Sequence, residues 1–293
     1  MSTPPPMVSR ACAALLGTPT RTAERLKASP RTVVYRADLS DGRSVIVKLY
    51  AHTARRNAIT EATAIRAAAT VVPVPKILGC GITSDDGATA LVQSDLGTST
   101  LGTAVRCGRV PHAQALKDLG SLLGRLHRAP VARSAQRRPF SDAVSALASR
   151  CPSDLLDRIA PALALIADTP NAEPRVWCHG DLHFDNVVLA SPQDTCHLVD
   201  FTDAAVARRE SDVAHALVMT AAHTPWERDA LTSSYPHALD DTRLSAWMVL
   251  ITVRCWAHAT PGTDQALWSS RLADLTRRTP HLFRPPPTER TSR

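Results

Sequence analysis

Between residues 177 and 204 the chain sets Asp181, Asn186 and Asp200 around two short apolar runs, Asn186-Val187-Val188-Leu189 and Cys196-His197-Leu198-Val199. Ser191, Pro192, Gln193 and Asp194 separate the runs, so the pattern predicts a two-stranded hairpin. Asp181 and Asn186 then lie where the chain enters the first strand, and Asp200 where it leaves the second. Three oxygen-bearing side chains meet at one end of a small ribbon. A hard divalent ion such as Mg²⁺ takes carboxylate and amide oxygens while keeping much of its water. A hydroxyl nucleophile needs a carboxylate within hydrogen-bonding reach. The stretch supplies both kinds of group. Zinc is a poorer fit, because Cys178, His179 and His183 lack a second ligand pair at structural-site spacing.

The order His179-Gly180-Asp181, then Asn186, then Asp200-Phe201 resembles the loop of phosphoryl-transferring kinases. The wording HGDLHFDN and VDFTDA is closer to the aminoglycoside phosphotransferase (APH) family of kinase-like phosphotransferases than to protein kinases. HGD stands where protein kinases have HRD, an acid (Asp203) follows the DF pair, and Asp212 in SDVAHAL stands where a further aspartate is common. The resemblance implies an α+β chain with a two-lobed protein-kinase-like fold, a β-rich N-terminal lobe and a helical C-terminal lobe. It implies ATP as donor, Asp181 as the catalytic group that orients the acceptor hydroxyl, and Asn186 and Asp200 as Mg²⁺ ligands. His179 it assigns to bracing the loop and Asp212 to supporting it.

The elements that must position these groups are visible upstream. Residues 32–39 alternate as a strand, Asp41-Gly42 is a strong hairpin turn, and 43–50 is the partner strand. Lys48 sits inside that partner strand between Val47 and Leu49, one of four lysines against thirty arginines. It reads either as an outward-facing edge residue or as the cation that kinases place on the ATP phosphates. Residues 53–70 have helical spacing, and Glu61 is the sole carboxylate between Lys48 and Asp85, which makes it the local candidate for an ion-pair partner. Residues 73–81 and 88–93 read as two more strands, joined at Ser84-Asp85-Asp86-Gly87. Gln93, Ser94 and Asp95 follow as a hinge whose backbone, by the resemblance, meets the adenine. The preceding segment, 21–27, reads as a short helix or turn. The loop Ala28-Ser29-Pro30-Arg31-Thr32 departs from nucleotide kinases in having no glycine; the hydroxyls of Ser29 and Thr32 or the guanidinium of Arg31 are its candidate substitutes.

From Pro111 the pattern is helical. Leu116, Leu119, Leu122, Leu123 and Leu126 form one stripe ending at His127, which reads as a packing or capping residue. Residues 140–168 supply one or two helices, 212–220 another, and 226–282 are mostly helical, with Trp247, Trp256 and Trp268 expected in the core ahead of a place lining the acceptor cleft. The expected division is a nucleotide-binding lobe over 1–93, its first nine residues disordered and 1–19 partly so. A helical lobe with the catalytic loop and acceptor site covers 94–283, and 284–293 form a disordered tail. Between Asp203 and Asp212 the sequence AAVARRE stands where the family usually carries glycines and an acid-proline pair, so acceptor contacts there are expected to be unusual.

Composition bounds the function. Hydrophobic residues make up 44% of the chain, ample for a core. The seven cysteines are scattered and never form CxxC, which fits reduced thiols in a cytoplasmic enzyme. Nothing reads as a signal peptide or a membrane span. The first 93 residues hold twelve basic against six acidic side chains and so carry +6 of the net +7. A basic N-terminal third suits a polyphosphate. Aromatics are 4% of the chain and do not interleave with those basic residues, which speaks against a stacking platform for nucleic acid. The expected activity is ATP-dependent transfer of the γ-phosphate to a hydroxyl of a small molecule, an aminoglycoside or other antibiotic first. The alternatives are a metabolite kinase with a choline-, homoserine- or sugar-like acceptor, and a non-catalytic nucleotide-binding protein. The expected partners are the small acceptor alone, without nucleic acid or membrane, in a monomer or homodimer.

Overall fold

The turn at Asp41-Gly42 organises the N-terminal half. Gly42 has φ +87°, a left-handed conformation that glycine adopts without Cβ strain. Asp41 Oδ1 accepts the Arg43 N–H at 3.1 Å. On either side, β2 (Thr32–Leu39) and β3 (Ser44–Tyr50) pair antiparallel, Val34 opposite Lys48 and Arg36 opposite Ile46. In this computed structural model residues 4–83, 88–132, 135, 137, 140–168, 175–190, 195–222 and 224–284 are described. The expected turns at 84–87 and 191–194 and the tail from 285 lie outside them. Arg284 itself donates its backbone N–H to Arg158 O at 2.7 Å.

The chain divides into two compact units. The first is Met1–Ala115, Arg128–Gln136 and Phe184–Ala205; the second is Leu116–His127, Arg137–His183 and Val206–Arg293. Each is therefore discontinuous in sequence, whereas the expected lobes were drawn as continuous stretches meeting at residue 93.

The first unit holds an antiparallel five-stranded sheet in the order β1-β2-β3-β5-β4, with β1 at Thr20–Ala28, β4 at Ile77–Ile82 and β5 at Thr89–Ser94. β1 corrects the reading of 21–27 as a helix or turn. Its residues are mostly exposed and charged, so no apolar alternation marks it; pairing with β2 from Thr20–Leu39 to Ala28–Val33 makes it a strand. The period of two along β2 and β3 sorts side chains onto two faces. Tyr35, Ala37, Leu39, Val45, Val47 and Leu49 pack with Val8, Ala11 and Cys12 of α1 (Pro6–Leu16). Val34, Arg36, Ile46 and Lys48 fall on the other face, where they line a cavity. α1 overturns the expected disorder of the first nine residues from Pro6 onward. A proline at the helix start needs no N–H partner, and residues 8, 11 and 12 share one buried stripe.

α2 (Arg55–Ala68) buries Ala58, Glu61, Ala62, Ile65 and Ala68 on one face. This unit also contains α3 (Leu101–Arg106) and a hairpin of Val187–Ala190 with Thr195–Leu198, Val187 opposite Leu198. Leu189 N donates to Ser99 O at 2.8 Å and Leu198 N to Pro73 O at 3.0 Å, which ties the hairpin into the unit.

The second unit is helical. The leucine stripe of α4 (His112–Leu126) is buried as expected. Residues 140–168 form three helices rather than one or two: α5 (Phe140–Ala148), α6 (Ser153–Arg158) and α7 (Ala160–Ala167). Pro152 is the extended residue that precedes α6, and Pro161 sits in the first turn of α7, where its missing N–H costs nothing. α8 (Arg209–Met219), α9 (Pro225–Thr232), α10 (Asp241–His258) and α11 (Thr263–Arg278) follow. α10 supplies Ala246, Val249, Leu250 and Val253 to a core shared with Leu147, Ile159, Ala162, Ile166, Leu272 and Leu282. Trp247, Trp256 and Trp268 are only half-buried, a correction to their expected core placement. Trp247 packs against that core beside Phe140, Trp256 donates to Ser269 Oγ at 3.0 Å, and Trp268 lies under the Arg271 guanidinium at 4.4 Å. Among the described residues no helix is long and apolar enough to cross a membrane.

Candidate functional site

In the first unit the lysine within β3 is 4% exposed, which requires that its charge be paired. Its three N–H groups reach Glu61 Oε1 at 2.6 Å, Asp200 Oδ1 at 2.7 Å and Thr202 Oγ1 at 3.2 Å. Glu61 is fully buried and also accepts the Tyr50 hydroxyl; Thr202 Oγ1 lies 3.0 Å from Glu61 Oε2 and 2.7 Å from Asp200 Oδ1. The outward-facing reading of Lys48 is thus excluded, and Glu61 is its ion-pair partner. Burial works against the Lys48 charge, but Glu61 and Asp200 outweigh it and hold the ammonium above its ordinary pKa. Burial likewise pushes the Asp200 carboxyl up, yet Lys48, then Lys27 and the Thr202 hydroxyl, bring it well below the usual carboxylate range. Asp200 has φ +62°, in the left-handed region that aspartate enters more readily than most non-glycine residues.

Lys48 and Asp200 line a cavity of about 250 Å³ with Asn186, Val188 and Val199 from the hairpin segment, Leu26 and Lys27 from β1, and Gln93 to Gly97 at the end of β5. Asn186 and Asp200 therefore face one space, and their amide and carboxylate oxygens are the hard donors a magnesium ion takes. The expected adenine-side residues Gln93, Ser94 and Asp95 all line it. Gln93 Oε1 is buried without a partner among the described residues. Ser94 Oγ accepts from Lys76 N at 2.9 Å. Asp95 is held by Arg36, with Nε 2.6 Å from Oδ2 and Nη2 3.1 Å from Oδ1.

The glycine-free loop lies elsewhere. Ser29 Oγ accepts from Arg31 N at 3.3 Å and Thr32 N at 3.1 Å, so the loop's own N–H groups are engaged internally. Ser29, Arg31 and Thr32 line a separate cavity with Met7 and Arg10. None of the three lines the cavity of Lys48 and Asp200. The strand before the loop, missed in the sequence, carries a cation into the cavity instead: Lys27 Nζ lies 3.3 Å from Asp200 Oδ2.

In the second unit the loop that carries Asp181 is braced from α8. Asp212 is fully buried and accepts the His179 N–H at 2.8 Å on one oxygen and the Gly180 N–H at 2.9 Å on the other. Gly180 has φ +82°, which only glycine adopts at low cost. His127 Nε2 lies 3.1 Å from Asp212 and its Nδ1 2.6 Å from the Tyr235 hydroxyl. His127, Cys178 and Asp212 approach one another closely enough to suggest a metal group. Their atoms are already hydrogen-bonded, Cys178 Sγ to Arg208 O at 3.4 Å, so the cluster serves as a brace. Asp181 itself is one-third exposed, with Oδ1 3.1 Å from His215 Nε2 and Oδ2 4.0 Å from His183 Nε2. Burial raises its carboxyl pKa, and the hydrogen bond to His215, with the nearby imidazoles of His183 and His179, more than reverses that, so the group stays an anion. His215 had no sequence signal beyond its place three residues after Asp212.

The profile of the phosphotransferase enzyme family (APH) matches residues 24–247. A homoserine kinase of Pseudomonas aeruginosa is 31% identical over 205 residues, covering 63% of this chain. The chain spans 62% of the length of that relative. Among solved structures, spectinomycin phosphotransferase APH(9)-Ia in complex with ADP and spectinomycin superposes with a TM-score of 0.63 at 14% identity, over 92% of this chain and 93% of that one. A choline/ethanolamine kinase family protein from Mesorhizobium loti gives 0.66 at 16% identity, over 94% and 98%. At these identities the two structures share the fold: a protein-kinase-like α+β architecture.

Proposed function

Because the chain belongs to the phosphotransferase enzyme family (APH), we propose that it transfers the γ-phosphate of ATP to a hydroxyl of a small molecule. The observation that carries this reading is the buried Lys48–Glu61–Asp200 cluster on the wall of a cavity that also takes in Asn186. ATP binds there, its adenine against the backbone at Gln93, Ser94 and Asp95 and its phosphates towards Lys48 and Lys27. Asn186 and Asp200 hold the Mg²⁺ ion, which when bound neutralises phosphate charge. Asp181 orients the acceptor hydroxyl. As the acceptor oxygen bonds to the γ-phosphorus, the bond from that phosphorus to the β–γ bridging oxygen breaks and ADP departs. The hydroxyl proton passes to the Asp181 carboxylate. In this reading the first unit is the nucleotide lobe, the second the acceptor lobe, and the protein works in the cytoplasm as a monomer or homodimer.

Charge supports one class of acceptor. Asp181 is surrounded by His183 and His215, and His215 by Arg254, with its Nη2 2.9 Å from the ring. The Arg254 guanidinium behind the His215 ring is the fixed cation here, and it favours a neutral or carboxylate-bearing alcohol, homoserine-like, over a polycationic aminoglycoside. An antibiotic without several ammonium groups fits the same charge pattern.

The test is ADP release across a panel of homoserine, choline, sugars, spectinomycin and aminoglycosides, together with melting temperatures in ATP and ATP–Mg²⁺. ATP–Mg²⁺ should raise the melting temperature and a neutral or zwitterionic alcohol should release ADP. Stabilisation by ATP with no release from any alcohol would favour a nucleotide-binding protein instead. Asp200→Ala should lose the extra stabilisation that Mg²⁺ gives; a retained Mg²⁺ increment would remove Asp200 from the metal site. Lys27→Ala should raise the KM for ATP by about 3–10-fold, the scale of a solvent-exposed hydrogen bond or ion pair, with the melting temperature nearly unchanged because Lys27 is largely exposed. An unaltered KM would leave Lys27 as a surface residue.

A further inference from the structure

Three side chains of the second unit form a directed series. Arg254 Nη2 of α10 lies 2.9 Å from His215 Nδ1 of α8, and His215 Nε2 lies 3.1 Å from Asp181 Oδ1. A guanidinium carries only N–H donors, so Nδ1 of the imidazole must accept. A ring that accepts at Nδ1 holds its proton on Nε2, and that proton points to the Asp181 carboxylate. The direction of donation, arginine to histidine to aspartate, is thus set by the chemistry of the three groups. His215 is 4% exposed, and the imidazole is held at both nitrogens.

The placement on α8 is economical in geometry. Asp212 and His215 are three residues apart, so they occupy neighbouring positions on one helix face. Asp212 fixes the loop backbone through the His179 and Gly180 N–H groups, while His215 takes hold of the Asp181 side chain. Backbone and carboxylate are oriented from one helix, and α10 sets the imidazole.

We propose that His215, aligned by Arg254, is a positioning residue for Asp181: it fixes the carboxylate through Oδ1 for its contact with the acceptor hydroxyl. This rests on the phosphotransferase reading given above. A rotated carboxylate misaligns the attacking oxygen, and misplacement of about 1 Å costs on the order of 10²-fold in rate. The nucleotide, bound by residues of the first unit, is indifferent to His215. A histidine that merely fills space would lower stability without that separation.

The experiment compares wild type, His215→Leu, His215→Gln, Arg254→Met and His215→Leu/Arg254→Met, with the acceptor found by ADP release. His215→Leu should lower kcat by about 10–10²-fold and leave the KM for ATP within about two-fold of wild type. Gln, whose amide N–H replaces the Nε2–H donor, should recover most of the loss. Arg254→Met should cost less, and nothing further once His215 is Leu, because the arginine acts through the ring. Nitrogen-15 spectra of the imidazole should show a wild-type His215 ring protonated on Nε2 alone. A wild-type ring protonated on Nδ1, an unchanged kcat in His215→Leu, or additive losses in the double variant would overturn the proposal. An active wild type with an indifferent His215→Leu sinks this inference alone; a wild type inactive on every acceptor sinks the kinase reading and this inference with it.

Discussion

Asp181→Asn should lower turnover by about 10²-fold or more, the scale of a lost general base, while ATP–Mg²⁺ affinity stays near wild type. Asparagine has nearly the same shape, and its amide oxygen can still accept from His215 Nε2, 3.1 Å from Oδ1 in the native chain. The loop backbone is held independently by Asp212, so the substitution leaves its conformation intact. What the variant loses is the charge and the ability to take a proton. That deficit is felt chiefly when the hydroxyl attacks, so it enters kcat and not ground-state binding. Steady-state rates and nucleotide affinity on one preparation decide the matter. Undiminished turnover in the asparagine variant would remove Asp181 from the mechanism.

Lys48→Met should abolish measurable phosphotransfer and also destabilise the fold. The second effect follows from burial. Glu61 is fully buried, and its Oε1 lies 2.6 Å from the ammonium that balances its charge. Removing one partner of a buried pair costs about 3–5 kcal/mol, because the other is left uncompensated. Adding Glu61→Gln should restore much of that stability, since the amide can still accept the Tyr50 hydroxyl. It should restore no activity, because the phosphates still lack their cation. Denaturant midpoints and ADP release on wild type, the single variant and the double variant separate the two roles. A double variant that regains turnover would show that Lys48 acts only by holding Glu61.

The readability of the chain varied with how much of each signal is local. β2 and β3 were legible because both faces of the sheet impose a period of two and Asp41-Gly42 sets the turn. The Lys48–Glu61 pair could be inferred because Glu61 is the only acid between residues 48 and 85. β1 was not legible: as an exposed edge rich in Arg, Glu and Lys, it becomes a strand only by pairing with β2. Lys27 was hidden with it. α1 was obscured by its prolines, whose place at a helix start is visible once Val8, Ala11 and Cys12 are seen to share a buried stripe. His215 and Arg254 carry no motif. They come together because α8 and α10 pack side by side, and one histidine and one arginine thirty-nine residues apart give no pattern to read.

The discontinuity of the first unit bears on the order in which the chain is made. Its five strands are complete at Ser94, yet Asn186, Val188, Val199 and Asp200 of the same cavity wall come much later. At roughly 5–20 residues per second of synthesis, the sheet waits on the order of ten seconds for them. During that interval the nascent chain holds Lys48 and Glu61 without the aspartate and threonine that complete their cluster. A gene fragment ending after the sheet would encode the strands of this unit without its cavity. The same interleaving limits exchange by recombination: one crossover near residue 94 would separate Lys48 from Asp200, and only a chain inherited through Ala205 carries the first unit whole.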